Sequence, residues 1–478
     1  MTTSADLHQN RRREFVDAIG DAVAVIPAGF EQTRNDDVDH EFRQDSAFYF
    51  LTGFAEPEAV AVIDSDRYTL FVRPRDREME TWNGYRAGVE GAVERFGADE
   101  AFPLDDLESA LQDRLLGHSH LYFSWGGRFD GRMSAVLQKL PSLHERFGYR
   151  VPFTISDPTP VLDELRLRKS AGEIDLLREA SRISAEGHLE AMRFAVPGAY
   201  EYQVQAAMEY TFRQSGSLRN GYPSIVASGS NATVLHYTEN DRRMEDGDLL
   251  LIDAAAEYGY FSADITRTFP VNGVFAEPQR VVYEVVLAAE RAGIAAAVPG
   301  STMRVIHETA TKVLTEGLVA LGLLPCDVPD SLAMHHYREF FMHGTGHWLG
   351  MDVHDAGTYH DGDGHRLLAP GMTFTVEPGV YIRPDQEVAT FHMLEYDLDE
   401  WTERRMRLGL AKAKQVEAEE LEAAEKVEHM IPPEFRGMGI RIEDDLLVTP
   451  GGNENLTSAV PVDIDEIEAV CREATRLP

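Results

Sequence analysis

Leu249–Phe269, LLLIDAAAEYGYFSADITRTF, is the stretch that decides the fold of this chain. Apolar and β-branched runs flank Glu257–Tyr260, and Gly259 can adopt the positive φ of a tight reversal, so we predict a β-hairpin. The hairpin would make Asp253 and Asp264 approximate cross-strand neighbours, with Cβ atoms roughly 5 Å apart. Like charges at that distance repel, which indicates a metal ion between them. The alternative is that both aspartates merely flank the turn, and this stretch alone does not decide.

Three later segments supply side chains of the same kind. The run HGTGH at His343–His347, with His354, places three histidines within twelve residues. Glu377 follows an apolar run and is predicted at a strand end, while Ile440–Glu443 alternates like a half-buried strand that directs its glutamate to one face. Each alone is more typical of packing or of strand termination than of a metal site. Together with the two aspartates they give four carboxylates and one imidazole, which suit a pair of hard or borderline divalent ions.

Composition excludes several classes of function. The chain has 478 residues, enough for two or three domains, and a net charge of −36, which disfavours binding to nucleic acid phosphates. It contains no run of eighteen apolar residues and begins with a polar segment, so we predict no membrane partner and a cytoplasmic location. Only six of its 45 basic residues are lysines, which is compatible with a saline cytosol or with a GC-rich genome.

The residues before 166 indicate an amino-terminal α/β domain, 1–165. A helix-like stretch, Leu104–Leu116, occurs among runs that are typical of strands, namely Ala22–Ile26, Ala59–Ile63, Tyr68–Val72 and Leu121–Trp125. Asp157–Pro160, with two X-Pro steps, disfavours helix and marks a natural boundary. We therefore predict a second domain at 166–478.

The second domain contains two similar breaks between predicted helices. Val196–Gly198 and Val298–Gly300 both read Val-Pro-Gly, and each precedes a helix-like run with an apolar residue at the same offset, Val204 or Ile306. Pro-Gly interrupts helices, so each half is predicted as helix, break, helix. This repetition favours a domain of two related halves around a central site, which could collect ligands from both.

In the order of these five ligands the chain resembles the pita-bread metallopeptidases, which include Xaa-Pro aminopeptidase, prolidase and methionine aminopeptidase. The motifs that carry the resemblance are LHYTEN at 235–240, DITRTFPVNG at 264–273, HGTGHWLGMDVHDAG at 343–357, TVEPGVYI at 375–382 and GIRIEDD at 439–445. It covers nearly the whole chain and implies an α/β fold with a pita-bread catalytic domain of pseudo-two-fold halves. The segment FRQDSAFYFLTGFAEPEAV, Phe42–Val60, is most similar to Xaa-Pro aminopeptidases.

The resemblance implies a site for two divalent ions, most simply Mn²⁺, with a hydroxide between them that attacks the scissile carbonyl. Its metal ligands would be Asp253, Asp264, His347, Glu377 and Glu443. Beside the metals it implies catalytic roles for His236, His343, His354, Glu377 and Arg441, with Tyr381 and Trp82 at the substrate. The expected substrates are peptides with proline in the second position, and the expected assembly is a homodimer or homotetramer.

One segment departs from the compact pattern of the family. Residues 386–430 form an insertion, and most of Leu394–Met430 is rich in Glu, Ala, Leu, Lys and Arg. Leu410, Ala413, Val416, Ala424 and Val427 fall near one helical face, so we predict an inserted helix. We expect a solvated, charged arm without a catalytic role, although it could pack on another subunit or border the cleft.

Three alternatives to an Xaa-Pro aminopeptidase remain at this stage. A prolidase would share all five ligands and cleave Xaa-Pro dipeptides. A creatinase-like amidinohydrolase uses the same fold without metal and would not be expected to keep the ligands. A catalytically inactive interaction protein of the same fold would carry degraded ligands, and none is degraded here.

Overall fold

The computed structural model describes residues 4–362, 364–475 and 477. The chain divides into two compact units, Met1–Arg166 and Leu167–Pro478. No helix in the described ranges is long and apolar enough to cross a membrane. Both units mix helices and sheets, which confirms the predicted α/β class.

The first unit is built on one six-stranded sheet. Its helices are α1 (Ser4–Ile19), α2 (Ser46–Thr52), α3 (Arg77–Asn83), α4 (Gly88–Phe96), α5 (Leu107–Leu115), α6 (Asp130–Leu137) and α7 (Leu140–Phe147). Its strands are β1 (Val23–Pro27), β2 (Thr33–Asn35), β3 (Val38–Asp39), β4 (Val60–Ile63), β5 (Tyr68–Val72), β6 (Glu100–Pro103), β7 (His120–Tyr122) and β8 (Thr154–Ser156). The sheet has the order β6-β5-β4-β1-β7-β8.

The hydrophobic pattern predicted the positions of strands β1, β4 and β5 better than the end of β7. Strands β1, β4 and β5 match the three predicted apolar runs and pair antiparallel. The fourth predicted strand, Leu121–Trp125, extends too far, since β7 begins at His120 and ends at Tyr122. The predicted helix Leu104–Leu116 begins as a 3₁₀ turn at Leu104–Asp106 and becomes α-helical only from Leu107.

Two helix pairs frame the second unit. Helix α8 (Thr159–Leu167) crosses the unit boundary and is followed by α9 (Ala171–Phe194), α10 (Glu201–Gln214), α11 (Glu277–Ala296), α12 (Met303–Ala320) and α13 (Val328–Ala333). The Val-Pro-Gly breaks separate α9 from α10 and α11 from α12, as predicted. Helix α9 begins at a capping box in which Glu173 Oε2 accepts from Ser170 N and Oγ, both at 2.7 Å. Thr302 caps α12 by accepting from Val305 N at 3.1 Å.

The strands of the second unit are short. They are β9 (Arg219–Asn220), β10 (Ile225–Ser228), β11 (Leu249–Asp253), β12 (Ala256–Tyr258), β13 (Phe261–Ser262), β14 (Thr266–Pro270), β15 (His360–Asp361), β16 (Gly364–His365), β17 (Thr373–Val376), β18 (Gly379–Ile382), β19 (Val388–His392), β20 (Lys426–Met430), β21 (Met438–Arg441), β22 (Asp444–Thr449) and β23 (Gly452–Asn455). The main sheets are β10-β11-β14, β17-β22-β23 and β18-β21. Helix α16 (Ile464–Cys471) follows them.

The predicted hairpin is present, with its turn at Gly259 and Tyr260. Both residues have positive φ, 58° and 70°, and Tyr258 pairs with Phe261 across the turn. The hairpin is interrupted on each side, so that β11 pairs with β14 and β12 with β13. Asp253 pairs with Thr266 rather than Asp264, and the two aspartates are therefore diagonal neighbours on one face.

The insertion is a hairpin that carries two helices instead of the one helix predicted. Strands β19 and β20 pair antiparallel, and between them lie α14 (Leu398–Leu408) and α15 (Leu410–Ala423). Gly409 separates the helices, with a φ of 79° that favours glycine. The predicted apolar face is wrong in part: α15 ends before Ala424 and Val427, and Leu410 is 58% exposed.

Candidate metal centre

The five predicted ligands come from separate elements that end at one place. Asp253 is the last residue of β11, and Asp264 lies between β13 and β14. Glu377 directly follows β17, so the predicted strand end is confirmed. Glu443 lies in the gap between β21 and β22, where it bridges to Thr266 of the hairpin. The flanking strands are buried on both faces, so the expectation of a half-buried strand was wrong.

The ligand atoms approach one another closely. His347 Nε2 is 3.4 Å from Asp264 Oδ2 and 3.9 Å from Glu377 Oε1. Asp264, His347 and Glu443 each offer one possible ligand atom, and these three atoms lie within 4.8 Å of one another. All five residues line a cavity of about 540 Å³, which we call the catalytic cavity. The structure therefore brings together the side chains that the sequence analysis selected.

Crowding of buried carboxylates perturbs the acidity of the site. Burial and, to a lesser extent, nearby carboxylates raise the pKa of Asp253 and of Glu377, the latter to about 7. Burial also raises the pKa of Glu443 well above its usual range. Burial alone would lower the pKa of His347, yet its hydrogen bond with Asp264 and the charge of that aspartate raise it to about 9. The site thus favours any bound positive charge.

Three polar side chains that the sequence analysis missed hold the ligands. The Tyr222 hydroxyl donates to Asp264 Oδ1 at 2.5 Å, and the Thr266 hydroxyl donates to Glu443 Oε2 at 2.7 Å. Asp445 Oδ2 accepts from the backbone N–H of Asp264 at 3.0 Å. Thr266 and Asp445 each lie two residues from a ligand, a spacing that could have indicated them. Tyr222 is more than forty residues from its partner, and no sequence signal marked it.

Arg441 is placed as the sequence predicted, on the same side as Glu443. Its guanidinium donates to Asp253 Oδ2 at 2.5 Å, to the Thr266 hydroxyl at 3.0 Å and to the Tyr381 hydroxyl at 3.0 Å. Thr266 therefore connects Arg441 to Glu443 through one oxygen. The arginine fixes the orientation of a ligand, which is the usual function of such outer contacts in metal sites.

The other predicted residues lie at different depths. His236, His343 and His354 line the catalytic cavity, and the rings of His354 and His347 are 4.3 Å apart. Tyr381 is 2% exposed and lies beneath the cavity, where its hydroxyl contacts His343 Nε2 at 2.9 Å. Trp82 belongs to the first unit, on α3, and is 81% exposed there. The substrate contacts expected of Tyr381 and Trp82 remain predictions.

The donor set fits divalent metal ions. Asp253 Oδ1 is buried and has no hydrogen-bond partner among the described residues, although an unpartnered buried carboxylate oxygen is costly. The five predicted ligands are four carboxylates and one imidazole, without a thiolate, and hard or borderline divalent ions prefer such oxygen-rich sets. A bound cation would satisfy the orphaned oxygen and relieve the repulsion between the carboxylates.

Comparison with protein families agrees with this interpretation. The model of metallopeptidase family M24 matches residues 175–450, and the model of the aminopeptidase P N-terminal domain matches residues 8–122. The first match contains all five predicted ligands. The second falls within the first compact unit.

Individual relatives cover nearly the full length of the chain. An Xaa-Pro aminopeptidase of Haemophilus influenzae is 37% identical over 97% of this chain and 96% of its own. The structure of zinc-substituted Escherichia coli aminopeptidase P in complex with product is 38% identical, with a TM-score of 0.86, over 99% of this chain and 100% of its own. Human Xaa-Pro dipeptidase is 34% identical over 94% of this chain and 88% of its own.

Proposed function

This chain belongs to metallopeptidase family M24, and from that membership we propose that it is an Xaa-Pro aminopeptidase. It would hydrolyse the bond between an amino-terminal residue and a penultimate proline. The observation that carries the proposal is the single cavity lined by all five metal ligands and three histidines. An inactive interaction protein would have no reason to maintain this crowded, mutually repelling set.

The dipeptidase alternative is less well supported. An enzyme specific for Xaa-Pro dipeptides must bind the carboxylate of proline, usually with a positioned arginine, because a buried unpaired carboxylate is costly. Among the described residues, Arg441 is the one arginine or lysine that lines the catalytic cavity. Its three donor nitrogens already contact Asp253, Thr266 and Tyr381.

We propose that two divalent ions, most simply Mn²⁺, occupy the site and are held by Asp253, Asp264, His347, Glu377 and Glu443. Such ions polarise a carbonyl and lower the pKa of a water molecule. The oxygen-rich ligand set supports manganese over structural zinc. Metal availability in the cell also contributes, since intrinsic affinity alone would favour zinc or copper.

The surrounding side chains orient the substrate and move protons. We assign His354 and His236 as donors to the scissile carbonyl oxygen, where negative charge develops during attack. We assign Glu377 as the group that delivers a proton to the leaving prolyl nitrogen, which leaves poorly without one. The 3.7 Å between Glu377 Oε2 and His343 Nδ1 supports a role for that histidine beside the proton carrier.

His343 would act as a neutral imidazole. Burial lowers its pKa to about 4, so it carries no charge at neutral pH. The Nδ1 atom is 2.7 Å from the carbonyl oxygen of Gly344, which fixes the hydrogen on Nδ1 and leaves Nε2 to accept from the Tyr381 hydroxyl. Tyr381 in turn accepts from Arg441, so a continuous chain of hydrogen bonds connects His343 to Asp253.

Further assignments complete the proposal. The domains would be 1–165 and 166–478, with Trp82 at the prolyl side of the substrate. The enzyme would work in the cytoplasm as a homodimer or homotetramer, without a nucleic acid or membrane partner. The surplus of acidic residues supports the absence of a nucleic acid partner.

The deciding experiment is a ratio of specificity constants for Ala-Pro-Ala and Ala-Pro at the same metal load. We expect the tripeptide to be the better substrate. A tenfold preference for the dipeptide, roughly 1.4 kcal/mol of transition-state free energy, would replace the aminopeptidase assignment with a dipeptidase. Elemental analysis of the same preparation counts the ions per chain.

A further inference from the structure

A second cavity, of about 900 Å³, lies between α12 and the start of the inserted arm. Helix α12 supplies one wall, residues 332–337 a second, and residues 395–400 of the insertion a third. None of the described residues that line it also lines the catalytic cavity. The insertion therefore does more than project into solvent, because without it this cavity would lack a wall.

The second cavity carries an excess of negative charge. Its lining contains five acidic side chains and two basic ones, Arg304 and Lys312. Arg304 is already bound by Glu308 at 2.7 Å and by Asp399 in a short contact. Of the remaining carboxylates, that of Glu400 lies 3.9 Å from the guanidinium of Arg404, which is outside the cavity lining, and that of Glu395 faces the cavity. A ligand that enters would need positive charge to compensate them.

Aromatic side chains shape the same cavity for an organic ion. Tyr396 stacks on Trp401, with ring centroids 4.1 Å apart and planes at 11°, and its other neighbour is His335 at 4.5 Å. Leu332, Ala333 and Leu398 add apolar surface to the cavity, which suits the alkyl part of an organic cation better than a bare metal ion. Thr311 also lines the cavity. It is 3% exposed, and its hydroxyl has no hydrogen-bond partner in the described part of the chain.

His307 connects the second cavity to the catalytic loop His343–His347. It lines the second cavity and also a hollow of about 280 Å³ bounded by Gly344, Thr345 and Gly346. Its Nδ1 is 2.8 Å from the Thr345 hydroxyl, and the Thr345 carbonyl accepts from the backbone N–H of Glu377 at 2.8 Å. Two hydrogen bonds thus separate the wall of the second cavity from a metal ligand.

The loop is packed too tightly to absorb a displacement locally. A Cβ atom added at Gly346 would lie 1.9 Å from the carbonyl oxygen of Thr375, on the strand that leads to Glu377. Thr345 itself is 2% exposed. Because close-packed interiors transmit strain, a shift of His307 would move the loop and the strand together.

We propose that the second cavity binds a small organic cation, an alkylammonium or guanidinium ion, and that its occupancy changes turnover by shifting the His343–His347 loop. The effect on turnover rests on the proposed aminopeptidase function, whereas binding does not. The insertion would then provide a regulatory site.

The test uses agmatine, which carries one guanidinium and one ammonium group but no carboxylate. Calorimetric titration of the full-length protein at about 50 mM salt measures binding, since a Debye length of more than 10 Å preserves the field of the carboxylates. The double variant Glu395→Gln/Glu400→Gln should weaken binding by about tenfold, or about 1.4 kcal/mol. The double variant Glu403→Gln/Glu419→Gln removes the same charge from exposed positions of the arm outside the cavity lining and should bind as the wild type does.

Turnover of Ala-Pro-Ala is measured with and without agmatine in the wild type and in Thr345→Val. This variant should bind agmatine unchanged but lose its effect on kcat/KM, because the His307 contact is removed. Absence of binding, or equal binding by both double variants, would overturn the cavity as a site. Binding without any effect on wild-type turnover would overturn the coupling. A preparation with no peptidase activity would refute the proposed function and leave the binding result intact.

Discussion

Replacing Glu290 by glutamine should stabilise the protein, and increasingly so as the pH rises. Glu290 lies on α11 with 1% exposure, and burial together with the charge of Asp444 raises its pKa to about 9. It is therefore protonated at neutral pH and hydrogen-bonded to Asp444, while its Oε1 has no partner among the described residues. Glutamine retains a donor of the same shape without the titration.

The magnitude follows from proton linkage. A carboxyl whose pKa is raised on folding binds more protons in the folded than in the unfolded state, so the free energy of unfolding falls as pH rises from the unfolded pKa toward the folded one. Above 4.5, the ordinary pKa of a glutamate, this slope approaches about 1.4 kcal/mol per pH unit for one group. Between pH 5.5 and 8 the wild type should lose about 3 kcal/mol relative to Glu290→Gln.

The assay compares thermal unfolding midpoints of the metal-free proteins at pH 5.5 and pH 8. All other titrating groups are common to both proteins and cancel in the difference. Glu284→Gln, an exposed position on the same helix, is the matched control and should show the same difference at both pH values. If the midpoint difference between Glu290→Gln and the wild type is the same at pH 5.5 and 8, Glu290 is ionised and the reasoning fails.

Three further predictions concern the metal site, a buried ion pair and the surface. Asp264→Ala should lose both metal and turnover, whereas His354→Ala should keep the metal and lose about 10²–10³ in turnover; equal metal loss by elemental analysis would contradict the assignment. Lys169→Met should lower the free energy of unfolding by about 3–5 kcal/mol, because it leaves the buried carboxylate of Asp355 without the ammonium group that now lies 2.9 Å away. A change below about 1 kcal/mol in denaturant unfolding would show that the ion pair contributes little. Potassium chloride between about 0.1 and 1 M should raise the unfolding midpoint by screening the net charge of −36, and a flat or falling midpoint would favour genome composition as the reason for the scarcity of lysine.

The sequence was sufficient to select five side chains that the fold brings together, because they are local signals on a regular framework. Asp253 and Asp264 belong to one hairpin whose turn glycine has the expected positive φ, and Glu377 directly follows an apolar strand. Register was the part that failed. The pairing of the hairpin is interrupted once on each side, which places Asp253 opposite Thr266. The sequence pattern of Ala254–Ala263 does not indicate where these interruptions fall. Diagonal neighbours still lie on one face, so the expectation that the two carboxylates approach each other does not depend on the exact register.

The hydrogen bonds that hold the predicted ligands could not be predicted from the sequence, because they join segments that are far apart along the chain. Tyr222 reaches Asp264 across 42 positions, and Arg441 reaches Asp253 across 188. A tyrosine before a proline is more often a packing residue, and only the folded structure shows that its hydroxyl meets a carboxylate. Thr266 is the exception. It lies two residues after Asp264, a spacing that places both side chains on the same face of a strand, so the sequence could have indicated it.

The inserted arm shows what a correct compositional signal leaves out about structure. Its charge and helix propensity correctly indicated a helical, solvated segment, yet Gly409 divides it, and Asp397 caps α14 so that the helix begins beside α12. The backbone N–H groups of Asp399 and Glu400 are held by the Asp397 side chain, which fixes where these carboxylates lie. A charged surface helix becomes the wall of a cavity because of where its first turn is anchored. The cap itself is local, but the contact of Arg304 with Asp399 that joins this turn to α12 is a tertiary one, and periodicity along the chain contains no information about it.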